Sequence, residues 1–220
     1  MSEPEGAAAE PGTERILAFS DGVFAIAITL LVLNINLPQH YNSLTRALHD
    51  LFPEYVSYAL SFLILGIIWA QHHAVYGLIR RTDPIFLLIN VVFLMWVGFL
   101  PFPAHVLGQN LGTSGEQTAM LFYAGTFLIG TVPYNLFWFY ASKGGHLLRV
   151  DVDPARVALT TRSYMLGPVL YAVDFGLAFV NATASLVVFF LIALFYAVSP
   201  IRQITGSRLL RPVFGITQGR

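Results

Sequence analysis

The chain has 220 residues, of which 56% are hydrophobic and 11% charged, about half the charged share of an ordinary soluble domain. Twelve basic residues balance twelve acidic ones, so bulk charge supplies no attraction to nucleic acid, which is not expected as a partner. No cysteine is present, which excludes disulfides, cysteine nucleophiles and cysteine-ligated metals, and the mean hydropathy of +0.67 fits a polytopic membrane protein.

The opening segment "MSEPEGAAAEPGTE" (1–14) holds four glutamates and no basic residue. That charge is wrong for a secretory leader, and the segment reads as a flexible cytosolic tail. The apolar run that follows has no obvious cleavage site and is expected to remain as a span. Apolar runs fall at 16–37, 54–79, 84–107, 117–140, 161–180 and 183–200, each near the length of about 20 helical residues that crosses a bilayer. Pro38, Pro53, Pro84 and Pro200 sit at or near their boundaries, where a missing backbone N–H costs least. The segments "NLGTSGEQ" (110–117) and "SKGGHLLRVDVDPAR" (142–156) are polar connectors. Residues 15–200 therefore read as one all-α transmembrane domain with six helices, because six such runs in succession leave no polar face to meet water. A basic tail, 201–220, follows; it orients the chain or lies on anionic headgroups.

Orientation follows from charge. Arg15, Arg80, Arg81, Lys143, Arg149, Arg156, Arg162, Arg202, Arg208, Arg211 and Arg220 all fall on one side of the six-span arrangement, and only Arg46 on the other. The bias places both termini in the cytoplasm of a cell membrane.

The polar residues within the spans are the candidates for function. The first span opens with Ser20 and Asp21, and an ionised carboxylate there must face protein or water. Arg15 lies six residues from Asp21, outside the favoured helical pairing, so both should find partners on other helices. The pair reads as a structural lock or, alternatively, a catalytic acid. At about 100° per residue, Gly22, Ile26, Thr29, Leu33 and Asn36 or Leu37 share one stripe. Such a seam suits either packing within a bundle or helices gathered around a common axis.

The second span ends with Trp69, His72 and His73, and adjacent histidines diverge too far on a helix to ligate one metal together. No metal site is expected. The third span begins at Asp83-Pro84, carries Asn90, and meets Pro101 and Pro103, which should distort or end its helix. Asp174 lies well inside the fifth span, as part of an ion pathway or as a partner for a neighbouring helix. The segment "TVPYN" (131–135) superficially matches a potassium-filter loop, but Pro133 and Asn135 replace the glycines that would turn carbonyls inward.

The run Arg15-x-x-x-Phe19-Ser20-Asp21, with "WAQHHAVYGLIRRTD", Asn90 and "LPFP", resembles the signature of the transmembrane protein 175 family across the first three spans. Animal members of that family are lysosomal potassium channels, and its prokaryotic members carry a single repeat. The resemblance implies a homotetramer whose first helices line a central pore, passing K+ ahead of Na+ through a hydrophobic constriction. It assigns Ile26, Thr29 and Leu33 to the pore wall, and Arg15, Phe19, Ser20, Asp21, Trp69, His73 and Asn90 to a network at the pore base. It implies no enzymatic activity and no cofactor, only the permeant K+. The competing reading is a proton-linked secondary transporter using intramembrane Asp and His residues, although no inverted repeat is evident in the sequence.

Overall fold

A computed structural model describes residues 11–209, with side-chain placement through Ala197. Most of the expected N-terminal tail (1–10) and the end of the C-terminal tail (210–220) lie outside the described residues. The architecture is all-α. Helix α1 spans Pro11–Leu30 and tightens into a 3-10 turn over Leu31–Asn34. Then come α2 (Leu44–Asp50), α3 (Phe52–Tyr76), α4 (Pro84–Phe99), α5 (Pro101–Asn110), α6 (Glu116–Ser142), α7 (Pro154–Ala178) and α8 (Ala182–Leu209).

Counting α4 and α5 as one rod, six long helical segments match the six apolar runs. Four of them, Gly12–Asn34, Phe52–Tyr76, Pro84–Asn110 and Glu116–Gly145, are long and apolar enough to cross a membrane. At about 1.5 Å per residue, the 25 residues of α3 rise about 37 Å, more than a hydrocarbon core of about 30 Å. The apolar part of α8 is Ala182–Ala197, and α7 is less apolar because it carries Arg156, Arg162 and Asp174.

Two details depart from the sequence expectations, at the two ends of the chain, and one between them refines an expectation. Helix α1 already includes Pro11–Glu14, and Thr13 is buried with its hydroxyl donating to the Arg80 carbonyl (3.3 Å). Through Thr13 this first turn is tied to the 77–83 connector, while Gly12 and Glu14 stay exposed. The prolines after α4 interrupt the helix, as expected, but the rod resumes at once in α5. Only Leu100 interrupts it, and Pro101 and Pro103 occupy the first turn of α5, where no backbone N–H is required. Leu100 closes one helix and opens the next: its N–H donates to the Val97 carbonyl (3.2 Å) and its carbonyl accepts from the Ala104 N–H (3.2 Å). Finally, α8 continues past residue 200 into the segment expected as a tail.

Helix α6 packs against α4, α5, α7 and α8, whereas α1 packs on α3, α4 and α5. Small hydroxyls tie the rods together: Ser57 donates to the Ala104 carbonyl (2.6 Å), and Ser61 bonds the Tyr123 hydroxyl (3.0 Å). Gly108 permits the approach of α5 to α3, since a Cβ there would meet Ser57 Cβ at 3.2 Å and Glu54 Cα at 3.3 Å.

At the end bearing most of the basic residues, the connectors 77–83 and 143–153 clasp each other. The Arg80 N–H donates to the Leu147 carbonyl (2.8 Å) and the Arg149 N–H to the Leu78 carbonyl (2.9 Å), around an antiparallel bridge of Ile79 with Leu148. Asp83 caps α4 there, accepting from the Phe86 N–H (2.8 Å) and the Tyr140 hydroxyl (2.9 Å). Partial desolvation pushes its carboxyl up, but those hydrogen bonds and nearby His146 outweigh it and hold the group below the ordinary carboxylate range. Asp151 is likewise held low, chiefly by its hydrogen bonds from Arg149.

Candidate pore face and its anchor

Helix α1 has two faces. Ser20, Phe24, Ala27 and Leu31 point into the helical bundle and are buried. Their spacings of four, three and four residues follow one helical stripe, as an apolar face directed at a core should. Phe24 packs against the rings of His72 and Phe93, at centroid separations of 5.5 and 6.1 Å.

On the opposite side Gly22, Ile26, Thr29 and Leu33 are exposed in the subunit, Ile26 at 61% and Leu33 at 65%. A Cβ added at Gly22 would meet nothing within 4 Å. The Thr29 hydroxyl donates back to the Ile26 carbonyl (2.9 Å), which commits its proton to the helix and leaves the oxygen lone pairs facing outward. Continuing the stripe backwards by three and then four residues gives Phe19 and Arg15, both exposed. These two therefore do not join the inter-helix network within the subunit. The four-three spacing that puts Ile26 outside puts them outside as well, and neither Arg15 nor Asp21 forms an ion pair among the described residues.

The network that does form is short and buried. The Ser20 hydroxyl donates to the Ile16 carbonyl (2.9 Å) and accepts from Asn90 Nδ2 (3.1 Å). Asn90 Oδ1 is in turn 3.1 Å from His72 Nε2. Since Oδ1 only accepts, the histidine proton sits on Nε2. One chain of hydrogen bonds thus runs from α1 through α4 to α3. The His72 ring is stacked against Phe93 and Phe137, with interplanar angles of 13° and 25°. A second tie lies nearer the surface, where the Trp69 indole donates to Asp21 Oδ1 (2.8 Å).

His73 sits outside the buried chain, exposed and tilted against the Trp69 ring at 5.8 Å. His72 occupies the place that the sequence reading gave to His73. The wheel separates the two histidines but does not say which one meets Asn90. Only the position of α4 decides that.

Deeper in the bundle, Asp174 is fully buried and accepts from the Ser185 hydroxyl on α8 (3.0 Å). Among the described residues no group of three or more His, Cys, Asp or Glu side chains comes together to hold a metal.

An all-helical bundle with membrane-length apolar rods, whose α1, α4, α6 and α7 each present an exposed apolar stripe, has the build of a membrane protein, and α1 alone carries the stripe with Gly22 and Thr29 in it. The profile described as "Endosomal/lysosomal potassium channel TMEM175" matches residues 15–101, the stretch holding most of α1, its anchor and α4. A potassium channel of Chamaesiphon minutus is 40% identical over 189 residues, covering 84% of this chain and 93% of the relative. The crystal structure of a lysosomal potassium-selective channel TMEM175 homolog from the same organism matches with a TM-score of 0.78 at 38% identity, covering 86% of this chain and 98% of that one. The endosomal/lysosomal proton channel TMEM175 of Danio rerio is 41% identical over 141 residues, 56% of this chain but 27% of the relative. The chain belongs to the TMEM175 family of membrane ion channels.

Proposed function

We propose that the chain is one subunit of a homotetrameric, potassium-preferring cation channel whose pore is walled by the exposed stripe of α1. The observation carrying this reading is that Ile26, Thr29 and Leu33 form an apolar face with a single hydroxyl, unpartnered within the subunit, while the opposite face of the same helix is locked into it. One helix cannot enclose a pore, so the stripe needs copies of itself. Around a symmetry axis, rings of Ile26 and Leu33 would form narrow apolar constrictions that gate by shedding water. A ring of Thr29 oxygens would offer acceptors to a partly dehydrated cation. K+ gives up its water more readily than Na+, so weak selectivity follows rather than that of a carbonyl cage. The channel would sit in the cell membrane with both termini cytoplasmic, and would require no cofactor besides the permeant ion.

The deciding experiment is the reversal potential of the purified, reconstituted protein in a planar bilayer under opposed K+ and Na+ gradients. A current reversing towards the potassium potential supports the proposal. No current from folded, oligomeric protein removes its basis. Proton movement is the second reading, favoured by the name of the Danio rerio relative. His72 Nε2 and Asp174 Oδ1 are engaged with Asn90 and Ser185, while His72 Nδ1 and Asp174 Oδ2 have no partner among the described residues, so these two side chains are the ones to substitute in testing a proton path. A pH-sensitive dye trapped in the vesicles distinguishes the two, since proton flux without potassium current would favour the second.

A further inference from the structure

The connector after α6 carries a histidine that the pore proposal does not use. Lys143–Gly145 form a 3-10 turn in which Gly144 and Gly145 take φ values of 66° and 67°, a conformation that a side chain would strain. The turn brings His146 back over the start of α4. Its side chain is 40% exposed, and its Nε2 lies 3.7 Å from Asp83 Oδ2, on a side chain that is 31% exposed. The ring also meets Tyr140 of α6 edge-on, at a centroid separation of 5.6 Å. From the other connector, Arg81 Nε donates to the His146 carbonyl (2.8 Å). His146 therefore sits where the two connectors clasp, one residue before Leu147, whose carbonyl accepts the Arg80 N–H.

The partners of the ring fix its tautomer. His146 Nδ1 is 2.7 Å from the Lys143 carbonyl, which only accepts, so Nδ1 carries the proton. In the neutral ring Nε2 is then a bare acceptor facing a carboxylate. Two acceptors do not bond, and 3.7 Å lies beyond hydrogen-bond distance. Asp83 has room for another donor. Its Oδ1 accepts from the Phe86 N–H and its Oδ2 from the Tyr140 hydroxyl, which leaves a lone pair on each oxygen. A proton on Nε2 turns the contact into a charge-assisted hydrogen bond and displaces neither of those donors. Among the charges nearby, Asp83 favours a charged ring, the cations Arg81 and Lys143 oppose it, and Arg149 is paired with Asp151.

We infer that His146 and Asp83 form a proton-binding site that tightens the clasp between the two connectors. Once protonated, the imidazole closes on Asp83 and adds a third tie to the two backbone hydrogen bonds, Arg80 to Leu147 and Arg149 to Leu78. The Thr13 hydroxyl of α1 donates to the Arg80 carbonyl (3.3 Å), so the same clasp holds the first turn of that helix. The protonated ring favours the closed clasp, so closure is strongest at low pH and weakens as the ring loses its proton. Asp83 stays ionised over that interval, because its carboxyl is held below the ordinary range. Only the source of the proton rests on the orientation proposed above: with both termini cytoplasmic, it comes from the cytosol.

The test is amide hydrogen exchange of the full chain in liposomes, read by mass spectrometry on peptides covering 77–82 and 145–150. Exchange is compared at about pH 5.5 and about pH 7.5, which bracket the interval where imidazoles change charge, after correction for the intrinsic rate at each pH. The expected result is protection of these amides about two- to fivefold greater at the lower pH, the worth of a partly exposed ion pair. His146→Gln, which keeps a polar side chain that takes no charge, should abolish that dependence and leave protection within α6 unaltered. Equal protection at both pH values in the unmodified protein overturns the inference, and that comparison needs no variant to fold. An undiminished dependence in folded His146→Gln overturns it too. Neither result turns on whether the protein conducts, so the channel proposal can fail while this one stands.

Discussion

The two faces of α1 are built from the same residue types and behave in opposite ways. Phe24, Ala27 and Leu31 are held by α3 and α4, with Ser20 fixing the phase of the helix through Asn90 and His72. Ile26 and Leu33 are no less apolar, yet nothing in the subunit touches them closely enough to bury them. Hydrophobicity alone therefore does not report the role of a residue in this helix. Position around the helix does. A mutation on one face should change stability, and a mutation on the other should change permeation.

The most severe way to break that contrast is Phe24→Ala. It empties a site that is 1% exposed and should cost about 3–5 kcal/mol, read as the loss of the folded protein in thermal unfolding. Asn90→Leu comes next. It leaves the Ser20 hydroxyl and the His72 N–H buried without their shared partner, at about 1–3 kcal/mol for each group, measurable by the same assay. If either variant unfolded like the unmodified protein, the buried face would not be the anchor described here.

Substitutions on the exposed face sharpen the contrast from the other side. Ile26→Ser should shift the stability of the subunit by about 0.5 kcal/mol or less, while raising single-channel conductance for both K+ and Na+. Thr29→Ala should lower the preference for K+ over Na+ by about threefold, the worth of one modest polar contact, and Thr29→Ser should largely retain it. An unaltered reversal potential in Thr29→Ala would remove that hydroxyl from the account. The smallest effect concerns Asp83, whose carboxyl is held below the ordinary range by Phe86 and Tyr140. A lowered folded-state pKa means that the stabilisation is complete above the unfolded value. It is lost as pH falls through that value and the lower folded one, roughly from pH 5 downwards. Asp83→Asn should flatten the fall in thermal midpoint over that acidic window.

Much of this could be read from the chain itself. Lengths of apolar sequence bounded by prolines located the rods, and the four-three spacing after Gly22 placed one stripe of α1 together. What escaped the sequence was set by contacts distant along the chain. The choice between His72 and His73 depends on where Asn90 lies, 18 residues beyond His72 on another helix. The helix α2 was missed because seven residues with a single buried side chain, Ala47, leave almost no periodic signal. Pro101 and Pro103 were read as distorting or ending the helix, and α4 does end just before them, at Phe99; the restart was not legible. After a one-residue interruption at Leu100, the same residues begin a helix.

The 3-10 turn at the end of α1 has a geometric consequence for any pore built from it. An α-helix advances about 100° per residue and a 3-10 helix about 120°, so three residues of the tighter winding carry Leu33 about 60° beyond its α-helical bearing. Thr29 and Leu33 then stand about 100° apart rather than about 40°, like successive treads of a spiral stair. If α1 lines the pore, four copies cannot turn both rings fully to the axis in one orientation. A twist of the subunits that brings the threonine oxygens inward carries the leucines towards the wall, and the reverse twist exchanges them.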